Sequence, residues 1–535
     1  MMSLHSCETD ENNQEVSVST KLSVPASPAF VAQDRKQDAD YVFYELTRSI
    51  CPECRRAIDA KIMLRDGKVT MRKYCPDHGE FEALIYGDAQ AYVNSARFNK
   101  PGTIPLQFST EVTHGCPHDC GLCPDHQQHV CVGIIEVNSA CNMDCLLCFA
   151  DAGAGFNITL EEVEAILDHY VATEGNPQVV QFSGGEPSIH PQIIPMLRAA
   201  EARDIDYVML NTNGKRIASD DEFLAELAEV RPAIYLQFDG FDSETYRIIR
   251  AEADILPEKL RALDRLAENG LSAILVPAIE RGVNDHEVGR IIKFALEHPA
   301  VRAINFQPAF HAGRFGEHDP LQRMTNPDLI KLIEEQTDGM FQVSDFVPVP
   351  CCFPTCNSVT YAYIDGEEVL PLPRLLDVDD YLDYISNRVI PDVGVEIRKA
   401  LEGLWSSSAV PGSEKLIHEF ALSCAACGLP DGGLDISGLG DFMFGIMLQD
   451  FLDPWTFNQK NLMKCCKEIL LPDGKQVPFC AYNNVGYREQ ARAQLAAQEP
   501  ARNRARREGV PFEPQPLTFS FEQPFGVKGT NGRGG

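Results

Sequence analysis

Between residues 136 and 340 short apolar runs alternate with stretches of helical periodicity, and this rhythm constrains the fold more than anything else in the 535-residue chain. Apolar runs at 132–137, 179–182, 207–211, 234–239, 272–279 and 303–307 read as strands. After the first of them, Thr159 followed by Glu161 and Glu162 starts a helix in which Val163, Ile166, Leu167 and Tyr170 share one face. Such alternation makes a parallel sheet with right-handed crossovers and a site at the carboxyl ends of its strands. Six strands predict an open, partial (β/α)6 barrel.

The first strand runs into Cys141-Asn-Met-Asp-Cys145-Leu-Leu-Cys148, three thiols spaced C-x3-C-x2-C. Three thiolates this close together suit three corners of a [4Fe–4S] cube and leave one iron without a protein ligand. Short cysteine clusters also make structural zinc sites, so the spacing alone leaves both open. The second strand ends in Ser183-Gly184-Gly185-Glu186-Pro187 and the third in Asn211-Thr212-Asn213-Gly214. Singly these are turn signals. In this order, each at a strand's carboxyl end, they describe one site.

On these residues the chain resembles the radical S-adenosylmethionine (SAM) superfamily. The resemblance implies that Cys141, Cys145 and Cys148 hold a [4Fe–4S] cluster. Its open iron is chelated by the amino and carboxylate groups of SAM, and Gly184, Gly185 and Glu186 meet the amino group. One-electron reduction then cleaves SAM to methionine and a 5′-deoxyadenosyl radical. Asn211, Asn213, Gln237, Asp239 and Gln307 all lie at or just beyond strand ends, and the resemblance favours contacts from Asn211, Asn213, Asp239 and Gln307 to the cofactor's ribose, adenine or methionine.

Nineteen cysteines in a chain with neither a basic n-region nor an apolar h-region at its start, gathered in C-x2-C and Cys-Cys groups, read as metal ligands in a reducing cytoplasm. Against 47 basic side chains stand 78 acidic ones, a net charge of −31, which argues against a broad nucleic-acid-binding face. No apolar run is long enough to cross a membrane as a helix.

Residues 1–40, rich in Ser, Asp, Glu, Gln and Asn, read as a disordered leader in which Cys7 stands alone. Residues 41–100 read as a small metal-knuckle domain. There Cys51 and Cys54, then Cys75 with His78 as the natural fourth ligand, frame a hairpin turning at Asp66-Gly67, a set that suits zinc or a rubredoxin-like iron. Residues 101–135 carry a second C-x3-C-x2-C, formed by Cys116, Cys120 and Cys123. No strand and GGE segment follow it separately, so it reads as an auxiliary cluster that Cys131 closes as fourth thiolate, with structural zinc as the alternative.

After the barrel at 136–340, the segment 341–485 returns to cysteines: Cys351, Cys352, Cys356, Cys424, Cys427, Cys465, Cys466 and Cys480, enough for at least one further cluster. Its Met- and aromatic-rich run at 439–448 reads first as core, and otherwise as the lining of a pocket for a long apolar substrate. Residues 486–535 read as an Ala/Arg/Gln helix with a solvated face and then a disordered end.

Taken together, the CPEC and CPDHG knuckles, the HGCPHDCGLC segment, the CNMDCLLCFA core and the late cysteines look like the archaeal tetraether lipid synthase family. Relatives of that family include a methylase of 7,8-dihydro-6-hydroxymethylpterin. Over residues 41–485 the resemblance implies a radical SAM cluster, auxiliary [4Fe–4S] clusters and a mononuclear iron. It further implies a low-potential electron donor such as a ferredoxin or flavodoxin, and a place in the cytoplasm or at the membrane surface through peripheral contact. The implied reaction is radical coupling of lipid alkyl chains; C-methylation of a pterin precursor is the alternative. A long apolar tunnel to the open iron is expected for the first, a flat pocket with amide or carboxylate partners for the second.

Overall fold

The computed structural model describes residues 39–153, 155–366, 368–374 and 443–521. Cys7, Cys424, Cys427 and the ends of the chain lie outside the described residues.

Four antiparallel strands come first: β1 (Val42–Ile50), β2 (Ala57–Arg65), β3 (Lys68–Cys75) and β4 (Gly79–Tyr86), in that order across a ribbon. The β2–β3 hairpin turns at Asp66 and Gly67, with φ of 51° and 72°. Positive φ at both central residues gives a tight turn whose twist matches that of the strands, which is why Asp-Gly stands there. The β1–β2 turn carries Cys51 and Cys54, and the β3–β4 turn places Cys75 and His78 against them.

The barrel strands follow: β5 (Val132–Asn138), β6 (Val179–Gly184), β7 (Tyr207–Thr212), β8 (Ala233–Gln237), β9 (Ala273–Val276), β10 (Ala278–Ile279) and β11 (Val301–Pro308). The expected 272–279 strand is split into β9 and β10 because Pro277, which has no amide hydrogen to give a ladder, stands between them. Later come β12 (Val347–Pro348), β13 (Asn357–Asp365), β14 (Glu368–Pro371), β15 (Met443–Gln449), β16 (Lys467–Leu470) and β17 (Gln476–Pro478).

The sheet runs β12-β13-β15-β11-β9-β8-β7-β6-β5-β16-β17, with β10 on β11 and β14 on β13. From β16 through β5 to β11 and β15 every neighbouring pair is parallel. The six expected strands are all present, and the late segment adds a parallel strand at each edge. It is woven into the barrel rather than appended to it: β15 continues the sheet beyond β11, and β16 continues it beyond β5. The stretch at 443–448 is core, as its composition suggests, and Met447 also faces the interior cavity.

The first crossover helix, Leu160–Glu174, begins as Thr159 and Glu162 cap each other's backbone amides, at 3.2 and 2.8 Å. Its buried face, Val163, Ile166, Leu167 and Tyr170, is the face expected. The C-terminal helix Tyr487–Glu508 departs from expectation, because Arg502 is not on a solvated face. It is fully buried on Glu162, with contacts of 2.9 to 3.1 Å. Behind the helix, Leu517 is buried and Phe519 and Phe521 pack on Tyr487. Among the described residues no helix is long and apolar enough to cross a membrane.

Candidate active site

A cavity of about 290 Å3 opens at the carboxyl ends of the barrel strands. Cys141, Cys145 and Cys148 line its mouth on the loop after β5. Burial pushes the Cys141 thiol up to about 12. Burial also raises Cys145, opposed by the charge of Arg250. Thiols held this way keep their protons until a metal replaces them. The three are not among the groups whose ligand atoms gather within 4.8 Å, whereas a single tetrahedral ion would need thiolates about 3.8 Å apart. The donor set, three half-buried thiols spread around a cavity mouth, therefore fits a multi-iron cube better than one ion.

The GGE segment is locked to this loop through backbone. Gly185 donates to Asn138 O at 2.9 Å and Glu186 N to Ala140 O at 2.8 Å. A Cβ on Gly185 would lie 2.2 Å from Ala140 O, so only glycine lets the two strand ends approach this closely. Glu186, 2 % exposed, accepts from Ser188 N at 3.0 Å, Thr212 Oγ1 at 2.7 Å and Asn213 N at 2.8 Å. An ionised carboxylate accepts about four hydrogen bonds, so one position is left for a ligand. Asn213 in turn donates to Asn142 Oδ1 at 2.7 Å, tying the third strand end to the cysteine loop.

Gly184, Gly185, Glu186, Asn211, Asn213, Gln237 and Gln307 all line the cavity, as their strand-end positions suggest. Asp239 does not. Its carboxylate is fully buried and paired with Arg250 at 2.7 Å, and it accepts from Ala278 N at 3.0 Å. Arg250, from the last turn of the helix Ser243–Arg250, reaches the cavity wall in its place. Lys259 braces the same layer from below, donating to Asn213 O at 2.5 Å and Gln237 Oε1 at 2.7 Å.

Further lining side chains were not singled out from sequence. Tyr235 accepts from Gln307 Nε2 at 3.0 Å and from Asn305; Asn305 also donates to Gln449 at 3.2 Å. With Gln181, Asn357 and Lys467 these surround the cavity with amides among apolar neighbours such as Ile134, Val276 and Phe451. Alternation along β8 and β11 was the available signal, since Tyr235 and Gln237, like Asn305 and Gln307, are two residues apart and share a face.

Elsewhere Cys51, Cys54, Cys75 and His78 bring their ligand atoms within 4.8 Å of one another, the set expected. Cys54 and Cys75 sulfurs lie 3.9 Å apart, and His78 Nδ1 is 3.6 Å from Cys51 and 3.5 Å from Cys75. Burial would raise the Cys75 thiol, but hydrogen bonds led by that of His78 bring it down to about 7.

Cys116, Cys120 and Cys123 surround a small hollow with Asp119, Asp125 and His126. The expected closing thiol, Cys131, is not there. It joins Cys351 and Cys466 within 4.8 Å, with Cys352 alongside. The reason is topological: Cys131 sits just ahead of β5, and β16 pairs beside β5 with Cys466 just ahead of it. Cys356, Cys465 and Cys480 line an adjoining hollow with Cys352 and Cys466.

A half-barrel of parallel strands, a three-thiol loop after the first and a GGE turn after the second define a radical SAM protein. The Radical SAM superfamily model matches residues 135–295, and the HMPTM N-terminal zinc ribbon domain model matches residues 43–87. The chain belongs to the radical SAM superfamily and is an enzyme of that class.

It is similar to the 7,8-dihydro-6-hydroxymethylpterin dimethyltransferase of Methanocaldococcus jannaschii, at 33% identity over 83% of this chain and 94% of that one. A GTP 3′,8-cyclase of Chlorobaculum tepidum is 30% identical over 34% of this chain and 56% of its own. Among solved structures, Streptococcus suis SuiB bound to S-adenosylmethionine aligns with a TM-score of 0.34 at 17% identity, over 39% of this chain and 47% of that one. The superfamily implies SAM and a [4Fe–4S] cluster.

Proposed function

We propose that the chain is a radical SAM C-methyltransferase acting on a reduced pterin. The observation that carries this is the reach of its likeness to the M. jannaschii dimethyltransferase, which spans 94% of that protein and so extends far beyond the common core. The cavity admits it. Amides stand among the apolar side chains of its wall, the edge chemistry that a flat heterocycle needs. The lipid-coupling reading requires a long apolar tunnel; the lining is more apolar than polar, so the choice of a pterin rests on the likeness to the dimethyltransferase and not on the cavity wall.

In this reading Cys141, Cys145 and Cys148 hold the [4Fe–4S] cluster, and Glu186, Asn211, Asn213 and Gln307 line the place for SAM. Bound there and reduced by one electron, SAM would supply the 5′-deoxyadenosyl radical needed to open an unactivated C–H bond and would end as methionine and deoxyadenosine, the methyl or methylene carbon being supplied separately by a one-carbon donor. Glu186 offers its remaining acceptor position to the ammonium group. Lys259 holds Asn213 and Gln237 in register. Arg250, held in an ion pair by Asp239, keeps its guanidinium beside Cys145.

Cys51, Cys54, Cys75 and His78 form a closed four-ligand clip for zinc or iron that holds the ribbon. Cys131, Cys351 and Cys466, gathered as closely as the ligands of one tetrahedral ion, form with Cys352 alongside a site for a single iron. Cys351 lines the cavity, so an electron released from substrate has a short path to that site. The electron donor is a ferredoxin- or flavodoxin-type protein.

Anaerobic turnover with dithionite, excess SAM, a methylene-carrying folate-type one-carbon donor and 7,8-dihydro-6-hydroxymethylpterin, followed by mass spectrometry, tests the proposal. Deoxyadenosine with a pterin heavier by one or two methyl groups is expected. Deoxyadenosine that rises with archaeal lipid and is indifferent to pterin would overturn it.

A further inference from the structure

Among the described residues, the cavity is lined by two cations, Arg250 and Lys467. Arg250 is matched by the Asp239 carboxylate at 2.7 Å. Lys467, the first residue of β16 and half-buried, has no carboxylate partner among the described residues; its Nζ donates to Asn357 Oδ1 at 3.1 Å. An ammonium group has three hydrogens to place, and leaving donors unmatched away from bulk water is unfavourable. On the same lining, Asn305 gives its amide hydrogens to Tyr235 and Gln449, and its Oδ1 is buried without a donor. The cavity thus presents a cationic donor with hydrogens left to give, whose charge otherwise acts on the neighbouring Cys352 and Cys480 thiols, and an unmatched neutral acceptor. Neither contact stabilises the empty protein, and both are answered by a ring system that carries an oxygen acceptor and an N–H donor.

We propose that Lys467 is the specificity-determining residue that reads the substrate's ring carbonyl oxygen, with Asn305 Oδ1 accepting from the ring's 2-amino group, which 2-amino-4-oxopteridine and 2,4-diaminopteridine share. The assignment rests on the pterin reading above, because a pterin carries both groups on its pyrimidinone ring. It predicts discrimination between 2-amino-4-oxopteridine and 2,4-diaminopteridine, in which the carbonyl acceptor is replaced by a donor that an ammonium repels.

Calorimetric titration of the anaerobic, iron-loaded protein with SAM present, using these two pteridines in turn, tests this. The unaltered protein is expected to prefer the oxo compound by about 10- to 100-fold, the worth of one charge-assisted hydrogen bond. Lys467→Met is expected to lose that preference, and Lys467→Arg, which keeps the charge, to retain most of it. The ratio is its own control, since a folding defect weakens both ligands alike. A Lys467→Met protein that keeps the preference overturns the assignment while leaving the pterin reading standing. An unaltered protein that binds neither pteridine overturns the pterin reading and this assignment with it.

Discussion

Replacing Arg502 with Met removes the pin that holds the C-terminal helix against the barrel. Arg502 and Glu162 are both fully buried, joined by Nε and Nη2 contacts of 2.9 to 3.1 Å, and Arg502 Nη1 also donates to Leu495 O at 2.7 Å. Removing one partner leaves the Glu162 carboxylate buried without its cation, which costs about 3–5 kcal/mol. The capping of Thr159 by Glu162 is untouched, so the loss belongs to the ion pair.

That helix also carries Arg492, which donates to Ala150 O at 2.8 Å and Asp151 O at 2.7 Å, and Arg488, paired with Glu136 at 2.6 Å. Both contacts lie behind the three-thiol loop. Hydrogen-exchange mass spectrometry of the anaerobic protein should therefore show protection over 487–508 falling about 150- to 5,000-fold in Arg502→Met, with iron lost faster on dilution into chelator. Adding Glu162→Gln, which keeps an acceptor for the cap and removes the stranded charge, should restore most of the protection. A drop of less than about tenfold, or no recovery in the double variant, would refute the reasoning.

Three further outcomes follow from the geometry. His78→Cys should retain the ribbon's metal and His78→Ala should weaken it, while Cys54→Ser should lower metal content and soluble yield together, because in so small a unit metal binding is folding energy; elemental analysis with circular dichroism reads this. Glu186→Ala should weaken SAM binding at least about tenfold and loosen Asn213, whereas Glu186→Gln, which keeps two acceptor lone pairs, should fall between, measured by equilibrium dialysis.

His311 lies 3.3 Å from Glu280 and 3.8 Å from Asp453; burial would lower it, but the two carboxylates raise it to about 9. A folded value above the ordinary 6.5 means its contribution is fully present below pH 6.5 and is lost as pH rises through 9. The denaturation midpoints of the unaltered protein and His311→Gln should therefore converge across that window.

The sequence conveyed what depends on neighbours in the chain. The Asp66-Gly67 turn, the Thr159 cap and the GGE approach are local requirements written into local residue types, and each is found where expected. Groupings set by strand pairing were hidden. Cys131 joins Cys466 only because Lys467–Leu470 pairs beside β5, and four residues with no alternation carry no readable strand signal. Asp239 lies behind the cavity wall, not on it; a residue just past a strand end and a residue facing the cavity look alike in sequence. Its partner Arg250 comes from a helix terminus that gives no hint of it.

The two edge strands contributed from beyond residue 440 also set an order of events during synthesis. Cys131 cannot meet Cys466 until 466 − 131 = 335 further residues have been made, roughly 20–70 s at common rates of translation. Through that interval the earlier thiols have no barrel edge to shelter them. Maturation of the buried thiol group is thus an event of the finished chain, and a protein cut short of β16 leaves the ribosome with those early cysteines open to oxygen.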